Sequence, residues 1–298
     1  MNISAKIISD SISNKGHRIT TFELEYPRLI HSEFMTHRLF SRNAASSRAI
    51  PINKMVEQVL EDPAMPVEWG INKAGMQSNE LHPDPELCKK VWKKAADRAV
   101  KSAKELQELN LHKQLANRVL EPFQRMKTIL TATELDNFFW LRCHPDAQPE
   151  IRALADCMYK EYSNSTPMLL GFGEWHLPYI NAFNSQYFNV DEHGRTKGRL
   201  TLEQAQKISS SCCAQVSYRK LDDDLDKAER IYNQLATTIP VHASPFEHIA
   251  TPIYDKSPET CTHEDMEGNL WSGNLKGWTQ YRQNIEGNTC WKYTKTEF

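Results

Sequence analysis

The chain has 298 residues, of which 40% are hydrophobic and 25% are charged, and its formal net charge is -2. This length allows a substantial buried core, and the near-neutral charge excludes a broad nucleic-acid-binding surface. No apolar run could span a membrane, no secretory leader is recognisable, and none of the seven cysteines belongs to a C-x-x-C pair. We therefore expect a cytoplasmic protein with free thiols, no zinc site and no membrane partner.

The hydrophobic pattern predicts helices and strands over most of the chain. Alternation that stops at a proline predicts a strand over residues 18–27. The predicted helices are 53–61, 86–110, 128–141, 147–162, 201–217 (running into a strand or turn) and 221–237. Proline and glycine predict a loop over 62–85 and irregular structure over 165–199, and the polar segment from 251 onward has no clear pattern.

The basic stretch THRLFSRNAASSRA, residues 36–49, is the clearest candidate for a binding site. It places four basic side chains among small polar residues and contains no carboxylate. Small residues let backbone N–H groups approach an anion, and arginine forks bind phosphate with two hydrogen bonds. Taken alone, the stretch is compatible with an anion site or with a solvated basic turn.

The spacing within this stretch, HR-x2-S-x-N-x2-S-x-R from His37 to Arg48, resembles the signature of the flavin-dependent thymidylate synthases, the ThyX family. Other segments are similar to further blocks of that family: NRVLEP (117–122), RCHPDAQPEIR (142–152), AQVSYR (214–219) and HASPFEHI (242–249). In the family the last two blocks precede the signature, whereas here they follow it. The order therefore indicates a circular permutation, with the termini moved to another exposed connection.

This resemblance implies a fold and an activity. The expected fold class is α/β (α+β), a ThyX-like mixed sheet flanked by helices with its blocks in permuted order. A single catalytic domain would cover residues 1–298, with inserts near 60–85 and 165–200 and a polar tail at 251–298. Such enzymes are usually homotetramers with active sites between subunits. They use FAD, NADPH and 5,10-methylenetetrahydrofolate to convert dUMP, a pyrimidine deoxynucleotide monophosphate, to dTMP. Neither a cysteine nucleophile nor a nucleic-acid partner is implied.

The same resemblance implies roles for individual residues. Arg142 aligns with the arginine that contacts and activates the pyrimidine, so it is the expected catalytic residue and also a substrate ligand. The other expected substrate ligands are Ser46, Ser47, Arg48 and Arg118, the last reaching in from another subunit. The expected flavin-site residues are His37, Arg38, Asn43, Asn137, Gln148, Ser217, His242 and Ser244. No metal ligand is implied.

Two positions depart from the family pattern and leave alternatives open. Thr36 replaces an arginine near the flavin phosphates, and Ala44 replaces a carboxylate near the nucleotide. Loss of that carboxylate leaves room for another base, so methylation or hydroxymethylation of dCMP is the alternative to dUMP. The remaining alternatives are a non-catalytic nucleotide- or flavin-binding relative, a synthase with Cys143 as nucleophile, and a single-stranded nucleic-acid binder.

Overall fold

The computed structural model describes residues 3–75, 78, 80–183, 185–190, 193, 195–216 and 225–293. The strands are β1 Ser4–Ser13, β2 Arg18–Pro27, β3 Ser41–Ala44, β4 Arg125–Ala132, β5 Met168–Leu170, β6 Asn181–Phe183, β7 Gln186–Val190, β8 Thr196–Leu200, β9 Ala250–Pro252, β10 His263–Glu264, β11 Leu270–Ser272, β12 Leu275–Lys276 and β13 Trp278–Gln280. The helices are α1 His31–Phe34, α2 Ile52–Glu61, α3 Pro85–Glu108, α4 Lys113–Ala116, α5 Asp136–Arg142, α6 Pro149–Asn164, α7 Leu202–Ala214 and α8 Leu225–Thr237. The fold is mixed α/β, as expected.

The central sheet has the strand order β3-β4-β2-β1-β5. Strand β5 runs parallel to β1, and the other neighbouring strands are antiparallel. The sequence predicted β2 correctly, and the predicted helices near α2, α3, α6 and α7 are confirmed. A reciprocal pair of hydrogen bonds between Thr201 and Gln204 caps α7 at its first turn. Helix α8 is described from Leu225, so the first residues predicted for it lie outside the described part of the chain.

Two sequence predictions of secondary structure are wrong. The helix predicted over 128–141 is a strand as far as residue 132 and becomes helical only in α5. Strand β4 is buried on both faces, so its apolar residues do not alternate with polar ones, and the pattern mimics a helix. The segment 165–199 is not irregular, because it contains β5 and the antiparallel sheet of β6, β7 and β8.

Different parts of the chain cover the two faces of the central sheet. Phe22 and Leu24 of β2 point to one face and pack in the cluster that includes Leu154 of α6. On the other face, Ile129 of β4 packs against Cys213 at the end of α7. The 3₁₀ turn Ser244–His248 also lies against β3 and β4. Segments of the two late blocks therefore pack beside the signature strand and its neighbour β4.

A buried hydrogen-bond chain ties the late segments to the sheet. His176 Nδ1 lies 2.9 Å from Ser11 Oγ, and His176 Nε2 lies 2.8 Å from Thr21 Oγ1. The chain continues from Thr21 to Thr131 Oγ1 at 2.7 Å and from Thr131 to His248 Nδ1 at 2.8 Å. Burial lowers the pKa of both His176 and His248 to about 3, so both rings are neutral near pH 7.

From this buried hydrogen-bond chain we predict that the folded protein loses stability in acid. The unfolded chain protonates His176 and His248 near their ordinary pKa of 6.5, whereas the folded protein resists protonation down to about 3. Stability is therefore complete above about pH 6.5 and falls as the pH drops towards 3. We expect each histidine to cost about 2 kcal/mol of unfolding free energy between about pH 7 and about pH 5.

Urea unfolding at these two pH values checks the expectation. His176→Gln should lose less stability on acidification than the wild type, because one titrating group is gone. The matched control is His242→Gln, since His242 is an exposed histidine outside the buried hydrogen-bond chain. Equal pH dependence in wild type and His176→Gln would contradict the assignment.

No helix in the described ranges combines the length and the apolar character needed to cross a lipid bilayer.

Candidate functional site

Arg142 stands at the C-terminal end of α5, and two other residues hold its guanidinium. Its Nε donates to His37 Nε2 at 3.0 Å, and its Nη1 donates to the carboxylate of Glu33 in α1. The Arg142 side chain keeps 21% of its surface exposed, so it remains accessible from the cleft that it lines. The guanidinium is therefore oriented before any ligand arrives.

The surroundings of His37 keep its ring neutral. The ring stacks on Phe40 with centroids 5.7 Å apart and meets the edge of Phe138 at 4.9 Å. Burial, followed by the positive charges of Arg142 and Arg42, lowers the pKa of His37 to about 4. A neutral ring can accept the Arg142 N–H at Nε2, so His37 orients the arginine. The resemblance placed His37 at the flavin, and the structure adds this direct contact with the catalytic candidate.

The cleft beside Arg142 has a volume of about 970 Å³ and carries more carboxylates than cations. Its charged lining residues are Glu33, Glu68, Asp146, Glu150, Arg142 and Arg152. Two of them neutralise each other, since Arg152 Nη2 lies 2.6 Å from Glu68 Oε1. Gln148, an expected flavin-site residue, also lines this cleft and donates to Glu150 Oε2 at 2.9 Å. A polar uncharged ring suits this cleft better than a phosphate does.

The loop that carries Ser46, Ser47 and Arg48 lies outside this cleft. Asn117 is buried and donates through Nδ2 to Ser47 O at 2.7 Å and to Ile50 O at 3.0 Å, which fixes the loop. Ser47 lines a separate cleft of about 440 Å³, and Arg48 is exposed. The described residues of one chain therefore do not bring the predicted serine-arginine loop and Arg142 into one cleft.

Arg118, the remaining expected substrate ligand, points to solvent. Its side chain is 49% exposed and forms an ion pair with Glu121 at 2.6 Å, one turn further along the chain. Within the described residues it lines neither the Arg142 cleft nor the cleft at Ser47. Its expected role across a subunit boundary stays a prediction.

Of the other expected flavin-site residues, Asn43 lies in β3 itself. Asn43 donates through Nδ2 to Cys213 O at 3.3 Å, which links the signature to a late block. Its Oδ1 is buried and has no hydrogen-bond partner among the described residues. Arg38, Asn137, His242 and Ser244 are exposed. Ser217 lies outside the described residues.

Glu33 is the functional candidate that the sequence motifs missed. It precedes His37 by four residues, outside the matched signature, and no block of the resemblance includes it as a site residue. No local pattern marks it, because its contact with Arg142 joins residues 109 positions apart in the chain. The structure identifies it directly by the ion pair with Arg142.

Cys143 has the wrong properties for a nucleophile. Burial, followed by the neighbouring Asp156 carboxylate, raises the pKa of its thiol to about 11. A thiol with that pKa is protonated at neutral pH, and the thiolate is the reactive form. The structure thus disfavours the alternative of a cysteine-dependent synthase.

The fold and the Arg142 constellation define a mixed α/β protein with an arginine-centred cleft suited to a small polar ring. A sequence model of the family described as "Thymidylate synthase complementing protein", Thy1, matches residues 13–168, more than half of the chain. The chain therefore belongs to the thymidylate synthase complementing protein family and is a thymidylate synthase-like methyltransferase. The match includes the signature and the Arg142 block, and the two late blocks follow it.

Solved structures with a similar fold include PolB from Streptomyces cacaoi, a UMP/dUMP methylase. The form bound with 5-Br dUMP is 15% identical, covers 56% of this chain and 91% of its own, and gives a TM-score of 0.45. The form bound with 5-Br UMP is 17% identical, with coverages of 56% and 90% and a TM-score of 0.46. A search of curated proteins finds no match.

Proposed function

We propose that this protein is an FAD-dependent cytoplasmic enzyme that transfers a one-carbon unit from 5,10-methylenetetrahydrofolate to C5 of a pyrimidine deoxynucleotide. Conversion of dUMP to dTMP is the first candidate, with NADPH as the reductant. The observation that carries the proposal is the Arg142 guanidinium, which Glu33 and His37 hold in an accessible cleft. Membership of the family supports the reaction class.

Arg142 would activate the pyrimidine by electrostatic stabilisation. The C5 atom of uracil is a poor nucleophile until electron density is pushed into the ring. A guanidinium that is already oriented stabilises the negative charge developing on the ring without reorganising during the reaction. This route needs no attack by a thiol on the ring, which agrees with the raised pKa of Cys143.

The residues near β3 fit a flavin. Asn43 Oδ1 is a buried acceptor with no partner among the described residues, and a ring N–H of a flavin is a suitable donor. Arg38, His242 and Ser244 are exposed polar side chains that could bind phosphate or hydroxyl groups. When bound, FAD would supply the reducing equivalents for the transferred carbon. We assign these four residues to its site.

The Glu33 carboxylate supports a second candidate substrate, a pyrimidine nucleotide with an amino group at C4. An ionised carboxylate only accepts hydrogen bonds, and carboxylates pair with the cytosine N4 amino group in known recognition. Ala44 removes the carboxylate that the family pattern has in the signature, and Glu33 brings another one next to Arg142. Methylation or hydroxymethylation of dCMP is therefore the alternative substrate and product class.

We also propose a homo-oligomer, with the tetramer of the family as the first expectation. The support is that Ser47 and Arg142 line different clefts within one chain. A second copy could place its own loop or arginine next to the first and complete a nucleotide site. Light scattering of the purified protein would measure the assembly.

An absorption spectrum of the purified protein with FAD, followed by titration with dUMP and dCMP, tests the proposal. We expect a bound-flavin spectrum that one nucleotide perturbs, and turnover of that nucleotide with methylenetetrahydrofolate and NADPH. Deoxyuridine, without the phosphate, is the matched control ligand. A protein that cannot be loaded with FAD, or that turns over neither nucleotide, would contradict the proposed function.

A further inference from the structure

A second cleft, of about 440 Å³, lies beside the signature loop and is strongly basic. Its cationic lining residues are Arg28, Lys54, Arg125 and Lys127. Glu23 is the one carboxylate among its described lining residues. The hydroxyl of Tyr179 already donates to Glu23 at 2.8 Å. The cleft therefore presents an excess of positive charge, the opposite of the Arg142 cleft.

Ion pairs from outside the cleft position its two arginines. Arg28 Nη2 lies 2.8 Å from Glu121, which also pairs with Arg118, and Arg125 Nη2 lies 2.6 Å from Asp62. Neither Glu121 nor Asp62 lines the cleft within the described residues. These pairs hold the guanidinium groups in place while only partly cancelling their charge.

The two lysines have no such compensation. Lys54 in α2 and Lys127 in β4 form no ion pair with any residue that the structure describes, and both are exposed. An anion bound in the cleft would relieve the mutual repulsion of these ammonium groups and the two arginines. The lysines thus provide the charge that a ligand can neutralise.

The cleft is continuous with the small residues of the signature. The backbone N–H of Ala45 donates to Lys127 O at 2.8 Å, and Ala45 and Ser47 form part of the cleft wall. Ser47 is buried, and a serine hydroxyl can donate a hydrogen bond to a phosphate oxygen. Cations from four separate positions therefore converge on a loop whose small side chains permit close approach.

We infer that this basic cleft binds a phosphate group, with Lys54 and Lys127 as its principal charge contacts. The site rests on the cleft itself, and only the source of the phosphate depends on the proposed function. That source is either the monophosphate of the nucleotide substrate or the diphosphate of the FAD cofactor. The Arg142 cleft is less suited to binding phosphate, because its carboxylates outnumber its cations.

Calorimetric titration with inorganic pyrophosphate tests the site in the full-length protein. We expect the double variant Lys54→Gln/Lys127→Gln to bind about tenfold more weakly or worse, and added salt to weaken wild-type binding. The matched control is Lys93→Gln/Lys94→Gln on α3, which removes the same charge from an exposed helix face and should change affinity little. Because all four lysines are exposed, both variants should fold, which an unfolding curve would verify.

Titrations with dUMP and with FAD then identify the source. Loss of dUMP affinity alone in the Lys54/Lys127 variant assigns the cleft to the nucleotide, and loss of FAD affinity alone assigns it to the cofactor. The inference is overturned if the wild type binds no pyrophosphate, or if the double variant binds all three ligands as tightly as the wild type. Lysine-dependent pyrophosphate binding without any turnover would instead contradict the proposed function and leave the phosphate site standing.

Discussion

Replacing Arg142 with lysine is expected to lower kcat on the nucleotide substrate by roughly 100- to 1000-fold. Lysine keeps a positive charge but lacks the planar fork that contacts Glu33 and His37 at the same time. The charge would therefore no longer be fixed where negative charge develops on the pyrimidine. Steady-state kinetics measure the effect, and nucleotide binding measured separately shows whether the loss concerns binding or chemistry.

The matched control for this prediction is Arg152→Lys. Arg152 lines the same cleft but is engaged by Glu68 and by the carbonyl oxygen of Pro145, so it takes no part in holding Arg142. We expect its kcat to stay close to that of the wild type. If Arg142→Lys retains near wild-type kcat with an unchanged urea midpoint, Arg142 is not the activating residue.

Replacing Glu33 with glutamine is expected to shift the preference between bases. The variant keeps the size of the side chain but gains an N–H donor, which can pair with the C4 oxygen of uracil. The ratio of kcat/KM for dUMP to that for dCMP should rise by roughly 10- to 100-fold, because one matched base contact contributes about 1–3 kcal/mol. A ratio cancels any general loss of activity from weaker positioning of Arg142.

Glu68→Gln provides the comparison, since Glu68 is a carboxylate of the same cleft that is paired with Arg152. Its base ratio should equal that of the wild type. An unchanged ratio in Glu33→Gln would mean that Glu33 only positions Arg142, and the case for dCMP would lose its structural support.

Sequence reasoning identified the elements whose patterns are local. Strand β2 alternates and stops at Pro27, and Thr201 caps α7 through a contact only three residues away. Strand β4 and the sheet of β6 to β8 were missed for different physical reasons, since β6 and β8 are largely exposed and carry little hydrophobic pattern, whereas β4 is buried on both faces. A strand covered on both faces has no alternating pattern, and which faces are covered depends on segments far away in the chain.

The sequence likewise predicted the candidate site only in part. The signature spacing and the Arg142 block were visible in the sequence, and residues 13–168 match the family. Their mutual arrangement was not visible, because His37 and Arg142 are 105 positions apart and meet only in the folded chain. Lys54 and Lys127 carry no motif at all, and only the fold places them in one cleft with the signature loop.

The sequence by itself determined the family, the permuted order of its blocks and the residue types available for chemistry. Those properties follow from which residues occur and how they are spaced. Only the tertiary structure decided that Glu33 and His37 hold Arg142, that Ser47 lines a different cleft, and that the two clefts carry opposite charge. Electrostatic and hydrogen-bonding interactions depend on distances of a few ångströms between side chains, and these distances are set by the packing of segments remote in sequence.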